Sequence, residues 1–360
     1  MKICLTGICG FVGSALARAF RELAPSLEIC GLDNFIRRGS EKNRRPLEAL
    51  GVEIFHGDIR CDSDLELIPR VDWLIDAAAN PSVLAGADGK MSSRQLVEHN
   101  LFGTLNLLEF CKTKGCGFIL LSTSRVYSIS ALAELPLKVR DKAYRIADDA
   151  TLPEGITATG ISESFSTIPP LSLYGSSKLA SEYLALEYNE IFGFPVWINR
   201  CGVIAGAGQF GRADQGIFSF WINANLRRQP LSYFGFDGLG HQVRDCLHPR
   251  DLAKLLLQQM REKDSKMNRL QNVSGGMASA MSLAQLSDWC AQRFGKHEIA
   301  PEPKRRSFDV PWLVLDSTRA NQQWNWAPEI SREEILRETA EHAEAHPDWL
   351  ETSGAYDPTL

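Results

Sequence analysis

Residues 1–13 read MKICLTGICGFVG, and three glycines fall at positions 7, 10 and 13. KICLTG has the character of a buried strand, whereas GSALARAFREL carries its apolar residues at helical spacing. The glycines therefore occupy a strand-to-helix turn. Gly7 allows the tight turn, Gly10 lets a pyrophosphate approach the backbone, and Gly13 lets helix and sheet pack closely. Phe11 and Val12 open the helix, whose N-terminal N–H groups and dipole suit phosphate. A lone turn of this kind is equally a packing device. Asp33 adds a second signal: it ends the next strand, LEICGLDN, roughly 20 residues on, where a carboxylate can hold a ribose diol, and Asn34 follows it. Together they point to a bound dinucleotide. An acid there favours NAD over NADP, because it repels a 2′-phosphate; Arg37 and Arg38 follow closely and could soften that preference.

Outward from this turn, strand-like VEIFHGDI, VDWLIDAAA and GFILLST alternate with helix-like NLFGTLNLLEFCKTKG. The alternation implies parallel pairing and a doubly wound α/β sheet. From about 128 to 170 the pattern breaks into a polar stretch too long for a plain connection. SSKLASEYLALEYNEIFG is then a long helix and PVWINRCGVI another strand. Past about Gly206 the periodicity weakens, although PRDLAKLLLQQM, LAQLSDWCAQRF and REEILRETAEHA are amphipathic. The expected organisation is a dinucleotide-binding domain over 1–180, with an excursion at 128–170. A smaller, irregular substrate-binding domain would cover 181–360, with segments near 195–206 and 240–260 returning to the core.

With 360 residues, 44% of them hydrophobic, the chain can bury a large core. A formal net charge of −5 gives no general attraction for nucleic acid or acidic lipid, so an anionic ligand must be held by local groups. The nine scattered cysteines lack a CxxC pair, which suits reduced thiols in a cytoplasm rather than disulfides or zinc. Neither a signal peptide nor a membrane span is expected. These features predict a cytoplasmic protein.

Tyr174 and Lys178 in YGSSK stand four apart, on one helix face. An ammonium beside a phenol lowers its pKa, and a phenolate can take a proton from a sugar hydroxyl as a hydride leaves.

The spacing GxxGxxG and the order of these motifs resemble the extended short-chain dehydrogenase/reductases, the Rossmann-fold epimerases and dehydratases of nucleotide sugars. The resemblance implies NAD as cofactor and a nucleoside-diphosphate sugar as substrate. It gives Asp58 and Ile59 of HGDIR to the adenine, Ala77 and Ala78 of DAAAN to the cofactor wall, and Asn80 to the substrate side. Asp76 stands where a His is usual. Asn100 matches the family's structural, cofactor-side asparagine. In LLSTSRVY, Thr123 aligns with the proton-shuttling hydroxyl and Ser122 with its neighbour near the nicotinamide. Thr123, Tyr174 and Lys178 are thus the expected catalytic residues. Ser124 and Arg125 occupy the places where 4,6-dehydratases carry Asp-Glu, which disfavours elimination and leaves both residues facing substrate. Cys201, on the cofactor side, replaces another usual His.

Further along, HQVRDCLHPRDLA supplies Arg244 for the diphosphate, and KRRSFDV supplies Arg306 and Asp309 for phosphate and ribose. Asp245, Asp251 and His248 read as structural. GAGQFGRADQGIFSFW resembles the CDP-paratose/CDP-tyvelose 2-epimerase branch, which places Gln209, Asp214 and Gln215 beside nucleotide or sugar. The resemblance also implies a homodimer through the helix near 100–113 and the one bearing Tyr174. An epimerase of that branch is the leading reading; a UDP-sugar 4-epimerase or keto-sugar reductase, and a non-catalytic dinucleotide sensor or scaffold, are the alternatives.

Overall fold

The computed structural model describes residues 1–87, 89, 92–262 and 266–355. Its central sheet comprises β1 (Lys2–Thr6), β2 (Glu28–Asp33), β3 (Glu53–His56), β4 (Trp73–Asp76), β5 (Gly117–Thr123), β6 (Val196–Cys201) and β7 (Leu270–Val273). The spatial order is β7-β6-β5-β4-β1-β2-β3. Every neighbouring pair is parallel. The order reverses between β1 and β4, and a ligand crevice is expected at the strands' carboxyl ends there.

These strands read as continuous apolar runs because both faces are covered. Ile3, Leu5, Trp73, Ile75, Ile119 and Trp197 point into one core. Cys4, Leu74, Phe118, Leu120, Val196 and Ile198 alternate with them into another. Each large apolar side chain so buried contributes about 1.5–3 kcal/mol. The main helices are α1 (Phe11–Leu23), α2 (Gly103–Lys114), α3 (Ser172–Phe192), α4 (Ile217–Leu226), α5 (Pro249–Gln259), α6 (Leu283–Phe294) and α7 (Arg332–Ala345). Helices α1 and α5 cover the first core, through Leu16, Phe20, Leu252 and Leu256. Helices α2 and α3 contribute Leu107, Leu108 and Ala185 to the second.

The carboxyl-terminal lobe is built on α4, α6 and α7, which pack through Phe218, Trp221, Leu286, Ile335 and Leu336. Helix α4 escaped sequence reading because Phe218 to Asn225 are all buried. A helix enclosed on every side has no polar face and shows little periodicity. The excursion forms a short helix, Ile129–Ala133, and a hairpin of Leu137–Arg140 with Ala143–Ile146. Its Leu132, Ala143, Ile156 and Phe165 join Trp312 and Leu313 of the carboxyl-terminal lobe in one core. The excursion thus packs with the carboxyl-terminal lobe, although the chain leaves and rejoins the sheet around it. Among the described residues, no helix is long and apolar enough to cross a membrane.

Candidate active site

The glycine turn follows β1 directly. Gly7 has φ +61, and a Cβ there would come within 3.0 Å of the Ala78 Cα. A Cβ on Gly13 would fall 2.3 Å from the Gly7 carbonyl oxygen, so α1 is pressed against the turn. Gly10 caps α1 in an extended conformation without a side-chain hydrogen bond, so the N–H groups of its first turn are left for a ligand. Gly7, Gly10, Phe11 and Val12 all face a cavity of about 490 Å³.

Asp33 lines the same cavity. Its carboxylate accepts from the Cys9 N–H at 2.8 Å and the Phe35 N–H at 2.8 Å. Burial pushes this carboxyl up from the usual range against those hydrogen bonds. Arg37, which could have welcomed a 2′-phosphate, is instead engaged with Gln215 Oε1 at 3.1 Å and the Phe210 carbonyl at 3.2 Å. Asp58 and Ile59 also line the cavity, with Asn34. Arg60 holds the Asp58 carboxyl well below the ordinary range, and Asn34 Nδ2 donates to it at 2.9 Å.

At the end of β4, Asp76 has a structural task that explains the missing histidine. It accepts from Thr6 Oγ1 at 2.9 Å and Thr104 Oγ1 at 2.9 Å. Thr6 in turn accepts from the Ala77 and Ala78 N–H groups at 3.2 and 3.1 Å. This fixes the Ala77–Ala78 backbone, which lines the cavity. The glycine turn, Asp33, the Asp58–Asn34 pair and the alanine wall together offer a donor-rich turn and a ribose acceptor, and thus fit a dinucleotide.

Beyond the alanine wall lie Ser122, Thr123, Tyr174 and Cys201. Strand β5 ends in a tight turn, Ser124–Val126, in which Thr123 Oγ1 accepts from the Arg125 N–H at 3.2 Å. Tyr174 lies in the first turn of α3. That helix approaches the β5 turn so closely that a Cβ on Gly175 would sit 2.2 Å from the Arg125 carbonyl oxygen. This close approach brings Tyr174 to Thr123.

Burial pushes the Tyr174 phenol above its ordinary value; the Thr123 hydroxyl and the Arg125 guanidinium oppose that rise. Lys178, the expected cation for the phenol, lies one turn further along α3. Lys178 is 1% exposed and does not line the cavity. Burial lowers its pKa, and the charges it senses are Asp76, Glu182 and Cys201. Burial raises the Cys201 thiol to about 12, so this residue is a neutral wall group.

Behind the wall lies a network that sequence reading missed. Glu182 accepts from Ser122 Oγ and is held by Arg200 Nη2 at 2.7 Å and Nε at 3.1 Å. Arg200 also donates to the Tyr127 hydroxyl at 3.3 Å, and that hydroxyl donates to Asn272 Oδ1 at 2.6 Å. Glu182 is four residues beyond Lys178 on α3, so helical spacing from Tyr174 was the available signal.

The other end of the cavity is cationic. Arg125, Arg244 and Arg306 line it with Asp309, Asp214, Gln209 and Gln215. Arg244 pairs with Asp309 at 2.9 Å. Arg306 donates to the Ala213 carbonyl at 2.9 Å and lies 3.8 Å over the Phe234 ring. Asp214 accepts from Ser82 Oγ at 2.7 Å, and Gln209 Nε2 donates to the Ile204 carbonyl at 2.7 Å. Ser124 faces the same space, as do Gln242 and Phe308, which sequence reading did not single out. Two residues before Arg244 and two after Arg306, these last were within reach of the motifs.

Of the residues expected at the ligands, Gly13, Asn80, Asn100 and Lys178 do not line the cavity. Gly13 is buried beneath the turn, as its packing role requires. Asn100 is 1% exposed; its Oδ1 accepts from the Asn80 N–H at 2.8 Å and its Nδ2 donates to the Asn80 carbonyl at 3.0 Å. Asn80 itself is absent from the wall, which its neighbours Ala79 and Pro81 complete. Both asparagines shape the loop after β4. The structural readings match the geometry. Asp245 accepts from the Leu315 N–H at 2.8 Å, and Asp251 from Glu329 and Ile330 at 3.0 and 2.9 Å. His248 Nδ1 caps α5 by accepting from the Arg250 N–H at 3.1 Å.

Known proteins resemble this chain over most of its length. The chain is 28% identical to the CDP-paratose 2-epimerase of Salmonella typhi over 345 residues, covering 92% of this chain and 96% of that one. It is 26% identical to a probable dTDP-glucose 4,6-dehydratase of Sinorhizobium fredii, covering 95% and 92%. Among solved structures, the UDP-glucuronic acid 4-epimerase of Bacillus cereus, in complex with UDP-glucuronic acid and NAD, superposes with a TM-score of 0.77 at 25% identity, covering 96% of this chain and 99% of that one. Residues 3–273 match the model of one family. A dinucleotide turn, a Thr–Tyr pair and a cationic cavity end thus stand in a chain that belongs to the NAD dependent epimerase/dehydratase family.

Proposed function

We propose that the protein is an NAD-dependent nucleotide-sugar epimerase that inverts a hydroxyl-bearing sugar carbon through a keto intermediate. The observation that carries this reading is the content of the wall after Thr123. The next two residues are Ser124 and Arg125, so these two positions offer no carboxylate pair to drive an elimination. NAD, when bound, supplies a reversible hydride acceptor. Tyr174 takes the proton of the sugar hydroxyl, with Thr123 beside it as hydroxyl partner, and returns that proton on re-reduction. Arg244 and Arg306 hold the diphosphate, which a net-acidic protein can bind only through such local cations. With the diphosphate anchored, the planar carbonyl can present its other face.

The similarity to the Salmonella enzyme over nearly the whole chain makes C2 of a CDP-linked deoxyhexose the first substrate to try. Purified protein is to be incubated with CDP-, UDP- and GDP-sugars. The expected result is an epimer formed without net consumption of NAD or NADPH, from a protein that copurifies with NAD. A dehydrated product, or stoichiometric use of NADPH, would refute epimerisation. Product from UDP-sugars alone would favour a 4-epimerase.

A homodimer is part of the proposal. Tyr183, Ile191 and Phe192 on α3 and Phe102 just before α2 are exposed large apolar groups. A solution mass about twice the 40.0 kDa of one chain is expected, and a monomer at micromolar concentration would contradict it.

A further inference from the structure

We propose that Gln242 is a fixed hydrogen-bond acceptor that selects a cytosine base, through its 4-amino group, at the nucleotide end of the substrate. This choice of base rests on the nucleotide-sugar reading, whereas the placement of the residue does not. Among the described residues, the buried side-chain oxygens Gln209 Oε1 and Gln242 Oε1 have no hydrogen-bond partner, and both residues line the cavity. Each amide is tied down through its nitrogen. Gln209 Nε2 donates to the Ile204 carbonyl at 2.7 Å, just beyond β6 and on the side of the reacting groups. Gln242, 6% exposed, donates from Nε2 to the Phe234 carbonyl at 2.6 Å. Turning that amide over would set its oxygen against the carbonyl, so the unpartnered position of Gln242 is an acceptor.

Gln242 stands at the cationic end of the cavity. It precedes Arg244 by two residues, and the ring of Phe234, whose carbonyl holds it, lies 3.8 Å from the Arg306 guanidinium. Val243 and Arg244 pair antiparallel with Ser282 and Met281. Continued by one residue, this register sets Gln242 beside Leu283, and alternate residues along a strand share a face. Gln242, Arg244, Met281 and Leu283 all line the cavity, as does Leu286 one turn along α6. Apolar walls thus adjoin the acceptor, next to the arginines placed at the diphosphate. A nucleotide sugar held by its diphosphate sends its sugar toward Tyr174, which leaves the apolar-walled end for the flat base. A buried acceptor without a partner is costly, and a donor brought by the ligand relieves that cost. Cytosine carries at C4 an amino group whose hydrogens donate. Uracil carries a carbonyl oxygen there, and two acceptors set face to face repel. A ribose hydroxyl is common to both nucleotides and would not separate them.

The test titrates CDP and UDP, without their sugars, into NAD-loaded protein and reads Kd by calorimetry. A third ligand, the diphosphate of the nucleoside with hydrogen in place of the 4-amino group, removes the donor and keeps the rest of the cytosine ring. CDP should bind about tenfold or more tighter than UDP or this analogue. Gln242→Met, which keeps the length and loses the acceptor, should bring CDP and UDP to near-equal affinity, mainly by weakening CDP. Equal binding of CDP and its analogue to the parent protein would overturn the proposal without any substitution, so a misfolded variant cannot hide the answer. UDP, GDP or ADP binding as tightly as CDP, no binding of CDP at all, or a CDP preference preserved in Gln242→Met would overturn it as well. Epimerisation failing with every nucleotide sugar would remove the epimerase reading, while the affinities still decide the role of Gln242.

Discussion

Tyr174→Phe is expected to lower kcat by about 10²–10⁴-fold, the usual contribution of a positioned acid–base group. The substitution removes one oxygen and keeps the ring, so the packing of Tyr174 against Ala85 and Leu96 survives. In the proposed reading the glycine turn, Asp33 and the Ala77–Ala78 backbone hold the dinucleotide without help from the phenol. NAD content after purification should therefore match that of the parent protein. The two readouts separate chemistry from folding. Turnover within a few-fold of the parent would refute the assignment of Tyr174 as the base, and loss of NAD would mean that the phenol oxygen is part of the cofactor site.

The second large effect falls on stability. Glu182 and Arg200 form an ion pair whose side chains are 1% and 6% exposed. Breaking such a pair from one side leaves a buried charge uncompensated and costs about 3–5 kcal/mol. Glu182→Ala would also orphan the Ser122 hydroxyl and weaken the hold on Arg200, whose guanidinium Glu182 keeps protonated well above its ordinary range. The unfolding midpoint in urea should drop steeply, with turnover falling because Ser122 borders the cavity. Glu182→Gln, which keeps the volume and part of the hydrogen bonding, should lose less. A change below about 1 kcal/mol in Glu182→Ala would mean that water or a rearranged neighbour satisfies Arg200.

Much of this was legible along the chain. The glycines and Asp33 could be read because their roles are local: a turn, a helix start and a strand end. The parallel sheet was legible because strands buried on both faces leave uninterrupted apolar runs, as in KICLT and GFILLST. Helix α4 was hidden by the same completeness of burial, since IFSFWINANL offers no polar stripe. At the site, spacing alone puts Tyr174 and Lys178 on one helix face. It carries no information about what faces the phenol from other elements, and there the end of β5 supplies Thr123. Asn80 and Asn100 show the same limit from the other side. The Asn100 amide oxygen and nitrogen hydrogen-bond the Asn80 backbone, a partner that a reading by position does not foresee.

The claim on which the account turns is that the hydrogen at the inverted carbon departs and returns within the protein. Running the conversion in deuterated water and locating deuterium in the product tests this most directly. Product that is epimerised yet carries no solvent deuterium at the inverted carbon is the predicted result. Deuterium at that carbon would contradict it, because it would mean that a proton, exchanged with water, was removed and replaced there.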